Sequence, residues 1–134
     1  MKKVLIIGSN SFAGSDFTDY LLSKNFRVYG VSRNKESDKE HLRYKENKHL
    51  KNFKFYKINI NLKKDINKLI QVVKKNKIDY IVNFAAQGMV AESWINPEDW
   101  YRTNIVSNSI LIKKLLKLNI KKYVNFSTPE VYGN

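Results

Sequence analysis

The apolar run Val4-Leu5-Ile6-Ile7 halts at Gly8, and a second glycine follows at Gly14 after Ser9-Asn10-Ser11-Phe12-Ala13. A continuous apolar run of this length suits a strand buried on both faces, which is the condition of a parallel sheet covered by helices. Glycines after such a strand let the backbone turn tightly, approach a pyrophosphate and pack the next helix closely. Gly8 and Gly14 have the six-residue separation of a G-x-x-G-x-x-G dinucleotide fingerprint, with Ser11 at the middle position. The competing reading is a structural turn. Ser11 adds a side chain near the phosphates, at some cost in backbone approach.

The rest of the chain continues the alternation. Lys3–Ile7 is the first expected strand, and Gly14–Leu22 a helix with Phe17, Tyr20, Leu21 and Lys24 at helical spacing. Arg27–Val31 is a second strand, and the charged, aperiodic stretch 34–52 is a loop with at most one helical turn. Phe53–Ile60 is the third strand, and residues 62–76 form an amphipathic helix with Ile66, Leu69, Ile70 and Val73 on one face. Residues 78–84 are the fourth strand and 85–96 a loop of small and polar residues. Pro97 then starts a helix over 98–118 whose acidic first turn suits the helix dipole. Residues 122–126 are the fifth strand. This order requires crossover connections, so the expected fold class is α/β: a doubly wound parallel sheet of five strands in the order 3-2-1-4-5. It stops before a sixth strand.

At 134 residues the chain fits one domain with a real core, and 43% of its residues are hydrophobic. It has no cysteine, which excludes disulfides and thiolate chemistry. No stretch approaches the ~18 apolar residues of a membrane span, and the apolar run behind Lys2 and Lys3 is too short for the apolar region of a signal peptide. The cytoplasm is the expected compartment, with no membrane partner. The formal charge of +13 invites a nucleic-acid reading. The lysines, however, fall at helix ends and polar faces, such as Lys63-Lys64, Lys74-Lys75, Lys113-Lys114 and Lys121-Lys122. Lysine, asparagine and isoleucine are abundant together, as a compositional bias produces, so no specific nucleic-acid site is expected. His41 and His49 share the charged loop with no clustered ligand group, and no metal site is expected.

The end of the second strand bears on cofactor choice. An acid there would hydrogen-bond a ribose 2′-hydroxyl, whereas arginine accommodates a 2′-phosphate. The chain has Ser32-Arg33-Asn34 and no acid until Glu36, which favours NADP over NAD, with a plain surface cation as the competing reading of Arg33.

Five stretches together resemble the extended short-chain dehydrogenase/reductases that act on nucleotide sugars: the glycine loop, Asn83-Phe84-Ala85-Ala86-Gln87, the set Val90, Ser93 and Pro97, Asn104, and Ser127-Thr128-Pro129-Glu130-Val131-Tyr132-Gly133. The resemblance is closest to the sugar-nucleotide 4,6-dehydratases such as those acting on GDP-mannose. It spans the chain and implies an NAD(P)-binding Rossmann fold over residues 1–134, the N-terminal part of an epimerase/dehydratase. By position it assigns Gly8, Ser11, Phe12 and Gly14 to the pyrophosphate and Arg33 to the adenosine ribose. Asn59 and Ile60 fall at the adenine, where relatives carry an aspartate and an apolar residue. Ala85, Ala86 and Gln87 fall along the nicotinamide ribose, and Gln87, Ser93 and Thr128 at the nucleotide-sugar substrate.

Thr128 matches the family's catalytic Ser/Thr at the sugar C4 oxygen, and Glu130 the carboxylate that removes the C5 proton. Thr-x-Glu also occurs in relatives that decarboxylate UDP-glucuronate, and simple 4-epimerases usually lack the acid. Pro129 replaces an aspartate of the dTDP-glucose enzymes, favouring a GDP-mannose-like reading, and Met89 replaces a common histidine. Tyr132 belongs to a structural Val-Tyr-Gly turn. The catalytic Tyr-x-x-x-Lys pair belongs to a following helix, which residues 1–134 lack along with the substrate domain. The matches at Tyr20–Lys24 and Tyr44–Lys48 precede Thr128 and are expected by chance. The expectation is therefore a cofactor-binding part that is inactive alone, with a stand-alone dinucleotide-binding module as the alternative. The resemblance implies a homodimeric parent that pairs the 98–118 helix with the tyrosine helix. In this chain the fifth strand is expected to be an open edge beside uncovered apolar surface.

Overall fold

A computed structural model describes residues 1–133, with the side chains of Pro129 and Glu130 outside the described set. Five strands form one parallel sheet: β1 (Lys3–Ile7), β2 (Arg27–Ser32), β3 (Phe53–Lys57), β4 (Tyr80–Asn83) and β5 (Lys122–Asn125), in the spatial order β3-β2-β1-β4-β5. This is the expected topology. Ile7 is level with Val31 on one side and Asn83 on the other, and Asn83 is level with Asn125. The carboxyl ends of the three central strands therefore open at one height. The strand order reverses at β1, and a ligand crevice belongs outside the carboxyl ends at that point.

Helices cover both faces. The helix α1 (Phe12–Ser23) lies on one side, while α2 (Lys63–Asn76) and α5 (Asn108–Leu115) lie on the other. The larger core joins Leu5, Ile7, Tyr29 and Val31 of the sheet to Ile66, Leu69, Ile70 and Val73 of α2, and to Leu111 and Leu115 of α5. The face of α1 against the sheet is small at its start and apolar at its end. Gly14, Ser15, Thr18, Leu21 and Leu22 are buried, whereas Tyr20 is exposed rather than packed.

Several boundaries depart from the sequence pattern. The helix α1 starts two residues early because Ser11 caps it: the Ser11 hydroxyl accepts from the Gly14 N–H at 3.1 Å. The strand β3 ends at Lys57 rather than Ile60, and β4 is trimmed to Tyr80–Asn83. The stretch after β2 is more ordered than its charge suggests. It folds into three short 3₁₀ turns over Lys39–His41, Arg43–Glu46 and Leu50–Asn52. Leu42 and Tyr44 from this stretch are fully buried against α1 and β2, and burial of a leucine side chain contributes roughly 2 kcal/mol.

The stretch after β4 holds a helical turn, α3 (Val90–Ser93). The expected helix over 98–118 is a continuous run of α4 (Pro97–Trp100), a π-helical segment (Tyr101–Ser107) and α5, ending at Leu115. π-helical turns inside α-helices are rare and often mark functional sites. No described helix is long and apolar enough to cross a membrane. The strand β5 is last in the sheet order among the described residues, and its Val124 and the following Phe126 are 43% and 60% exposed.

Candidate active site

Two cavities adjoin at the carboxyl ends of the strands. The first, of about 270 Å³, lies over β1 and β2 and is lined by Gly8, Asn10, Ser11, Ser32, Arg33, Asn34, Asn59, Ile60 and Asn61, among others. The second, of about 560 Å³, runs between α3 and the end of β5 and reaches Ser127 and Thr128. Ala85, Ala86 and Gln87 line both, so this short stretch is the wall common to the two spaces.

The floor of the first cavity depends on close backbone contacts. Gly8 has φ +86°, and a Cβ there would stand 2.8 Å from the Ala85 backbone nitrogen. The loop after β4 can cross directly over the end of β1 only because position 8 has no side chain. Gly14 meets the Gly8 carbonyl in the same way. Ser11 has φ −73°, an ordinary value for any L-residue, so the middle position makes no conformational demand for glycine. Its hydroxyl donates to the Gly8 carbonyl at 2.7 Å and caps Gly14, so its hydrogen-bonding capacity goes into shaping the loop. Among the described residues, the N–H groups of Phe12 and Ala13 have no acceptor. They are the free donors of a helix N-terminus and suit an anion. The Phe12 side chain is 87% exposed and does not line the cavity, so any role of Phe12 at a phosphate belongs to its backbone.

Arg33 and Asn34 line the outer end of the first cavity, where β2 gives way to the loop. Glu36, the first acid after β2, is engaged by Tyr44, whose hydroxyl donates to its carboxylate at 2.8 Å. Burial, and then that carboxylate, push the Tyr44 hydroxyl well above the ordinary tyrosine range. Beside the end of β2, where the Ile58 N–H donates to the Ser32 carbonyl at 2.9 Å, Asn59 accepts from the Asn61 N–H through its side chain, and its own N–H donates to Asp65 at 3.0 Å. That hydrogen bond, and then Lys68, hold the Asp65 carboxyl below its usual range.

Asparagines organise the wall between the cavities. The Asn104 side chain accepts from the Gln87 N–H at 2.9 Å and donates to the Gln87 carbonyl at 3.0 Å. Asn83 is 1% exposed; it accepts from the Ala85 N–H and donates to the side chains of Asn108 and Asn125, each at 2.9 Å. Asn61 donates to Thr103 and accepts from Ser107. The π-helical segment thus grips the loop after β3 through Thr103 and Ser107, and the loop after β4 through Asn104.

Every sequence-assigned residue on the first cavity except Phe12 and Gly14 is part of its lining, and Ser93 and Thr128 line the second. Met89 is 64% exposed and lines neither. The backbone of Glu130 lies in a 3₁₀ turn over Pro129–Tyr132, and its side chain falls outside the described residues. Tyr132, assigned to a structural Val-Tyr-Gly turn, ends that 3₁₀ turn and is 90% exposed. The two chance Tyr-x-x-x-Lys matches are accounted for structurally. Lys24 lies over the Tyr20 ring on α1, and Tyr44 is buried. Sequence reasoning missed Asn10, Asn61, Thr103, Asn108 and Asn125. For Asn10, Asn61 and Asn125 the signal was present as asparagines at or shortly after strand ends, but asparagine is common throughout the chain.

Comparison with known proteins agrees with this architecture. The family model for GDP-mannose 4,6 dehydratase matches residues 5–134. The chain is 32% identical to a dTDP-D-glucose 4,6-dehydratase of Dictyostelium discoideum, over 100% of this chain and 30% of that protein. It is 28% identical to a GDP-mannose 4,6-dehydratase of Vibrio cholerae, over 98% of this chain and 37% of that protein. Among solved structures, a UDP-glucose 4-epimerase of Bifidobacterium longum, in complex with NAD+ and UDP, superposes with a TM-score of 0.84 at 30% identity. That match covers 98% of this chain and 38% of the epimerase. The chain therefore spans between 30% and 38% of the length of these relatives. With the family model matching from Leu5 to the end of the chain, the chain belongs to the GDP-mannose 4,6-dehydratase family of nucleotide-sugar epimerases and dehydratases.

Proposed function

We propose that residues 1–134 are the dinucleotide-binding part of an NAD(P)-dependent nucleotide-sugar 4,6-dehydratase or epimerase, with NADP preferred to NAD. One observation carries the reading: the two cavities share the wall Ala85-Ala86-Gln87, and the second one ends at Thr128. A dinucleotide along the first would deliver its nicotinamide end to that wall, facing a substrate in the second. The fit is chemical as well as spatial. The free N–H groups at the start of α1 suit a pyrophosphate, and the small side chains of Ala85 and Ala86 leave room for a ribose. Arg33 at the outer end suits a 2′-phosphate, while Glu36 is held by Tyr44. The NAD+-bound epimerase relative supports a nicotinamide dinucleotide in general.

The bound nicotinamide would supply reversible hydride acceptance at the sugar C4. In this reading Thr128 hydrogen-bonds the C4 oxygen and holds the sugar against the shared wall, with Gln87 and Ser93 beside it. Glu130 takes the C5 proton as water leaves across C5 and C6. Asn59 and Ile60 flank the adenine. The acid at position 130 favours dehydration over simple epimerisation, and Pro129 favours a GDP-mannose-like substrate over dTDP-glucose.

A Tyr-x-x-x-Lys pair does not follow Thr128 within residues 1–134, so this chain is proposed to bind without turning over. The test incubates it with NADP+ and GDP-mannose and follows sugar dehydration by mass spectrometry beside a dinucleotide titration. Saturable binding with no dehydrated sugar is expected. Product that disappears with Thr128→Val would contradict the inactivity, and absence of saturable binding would contradict the cofactor role.

A further inference from the structure

We propose that Asn10 is the positioning residue that tunes the first cavity for a 2′-phosphorylated dinucleotide, acting through Arg33. The inference rests on the dinucleotide reading above. Asn10 follows β1 in the glycine loop, a position where the fingerprint makes no demand on the side chain. Yet it makes contacts on both sides of Arg33. Its backbone N–H donates to the Ser32 hydroxyl at 3.0 Å, just before Arg33. Its side-chain Nδ2 donates to the Lys35 carbonyl at 2.8 Å and, at longer reach, to the Asn34 carbonyl at 3.5 Å, just after Arg33. Asn10, Ser32, Arg33 and Asn34 all line the same cavity.

One physical consequence follows. Arg33 is exposed, and its long side chain is free to sample many positions. Pinning the chain before and after it restricts where its Cα can stand, which lowers the ordering cost of an Arg–phosphate contact. The effect acts on the 2′-phosphate and leaves a 2′-hydroxyl nearly indifferent. Asn10 therefore contributes to selectivity more than to affinity in general.

The test measures dissociation constants of NADPH and NADH by isothermal titration for the unaltered chain, Asn10→Ala, Arg33→Ala and the double variant. Circular dichroism melts check folding. Asn10→Ser is the second variant: it keeps a turn-compatible polar residue too short to reach the Lys35 carbonyl. The unaltered chain is expected to prefer NADPH. Asn10→Ala and Asn10→Ser each reduce that preference by about fivefold, the effect of roughly one hydrogen bond, and change NADH binding by less than about twofold. In the Arg33→Ala background, Asn10→Ala causes no further loss of preference, because the two residues act as a unit. The proposal is overturned if Asn10→Ala weakens both dinucleotides equally, leaves their ratio unchanged, or adds its full effect to that of Arg33→Ala. Preference of the unaltered chain for NADH would also overturn it while leaving the dinucleotide site standing. Binding of neither dinucleotide would remove the underlying reading itself.

Discussion

A Cβ on Gly14 would stand 2.1 Å from the Gly8 carbonyl oxygen and 2.8 Å from Ser11 Oγ, so Gly14→Ala must push α1 away from β1. The obstacle is backbone and cannot rotate aside. The substitution should cost about 3 kcal/mol of stability in urea denaturation, within the range for overpacked sites; a loss under about 0.5 kcal/mol would show that the loop is not held as described. Asp65 makes a different kind of contribution. Its carboxyl is held below the usual range by the Asn59 N–H first and by Lys68 second. A depressed folded pKa stabilises above the unfolded value of about 3.9 and loses that contribution as pH falls through the folded value. Asp65→Ala should therefore cost about 1.5 kcal/mol at pH 7, as expected for a hydrogen bond to a charged group. The difference should narrow as pH falls below about 4. A gap that stays constant down to pH 2 would contradict the assignment.

Among the elements, α2 shows how local conformation can be at odds with its sequence. Lys77 caps its C-terminus at φ +51°, with the Ile78 N–H bonded to the Val73 carbonyl at 3.2 Å in the manner of a Schellman motif. Glycine is at ease in that conformation and lysine is not, so Lys77→Gly should raise the stability by roughly 0.5–1 kcal/mol. No gain in thermal or urea midpoint would contradict the left-handed cap. In the π-helical segment Asn104 is the clamp on Gln87. Asn104→Ala should weaken dinucleotide binding by about tenfold, the effect of roughly two hydrogen bonds lost at the shared wall, read by titration. Unchanged affinity would show that the wall holds itself.

These elements also show what was legible beforehand. The topology and the five strands could be read because buried parallel strands are apolar runs and α2 has a clear helical period. The π-helical insertion could not, since its apolar residues keep a spacing close to that of an ordinary helix. Leu42 and Tyr44 were hidden inside a charged stretch with no period. Gly8, Arg33, Ala85 and Thr128, which line the two cavities, could be singled out from motif and position. The asparagines that tie them together were masked by a composition rich in asparagine, and only spatial proximity distinguishes Asn10 or Asn83 from the rest.

On the scale of the molecule, the parallel sheet brings loops distant in sequence to one edge, and the asparagine bonds join them into a continuous wall. The proposed function requires this edge to hold a dinucleotide with its phosphate-bearing ribose at Arg33 and its nicotinamide end at Ala85-Ala86-Gln87. A solution NMR titration of the isotope-labelled chain with NADPH tests that placement. Saturable 1:1 shifts are expected at the backbone amides of Gly8, Ser11, Phe12, Ala13, Arg33 and Ala85–Gln87, with the α2 and α5 helices unmoved. Absence of saturable shifts, or shifts centred on the lysine-bearing ends of α2 and α5, would contradict it.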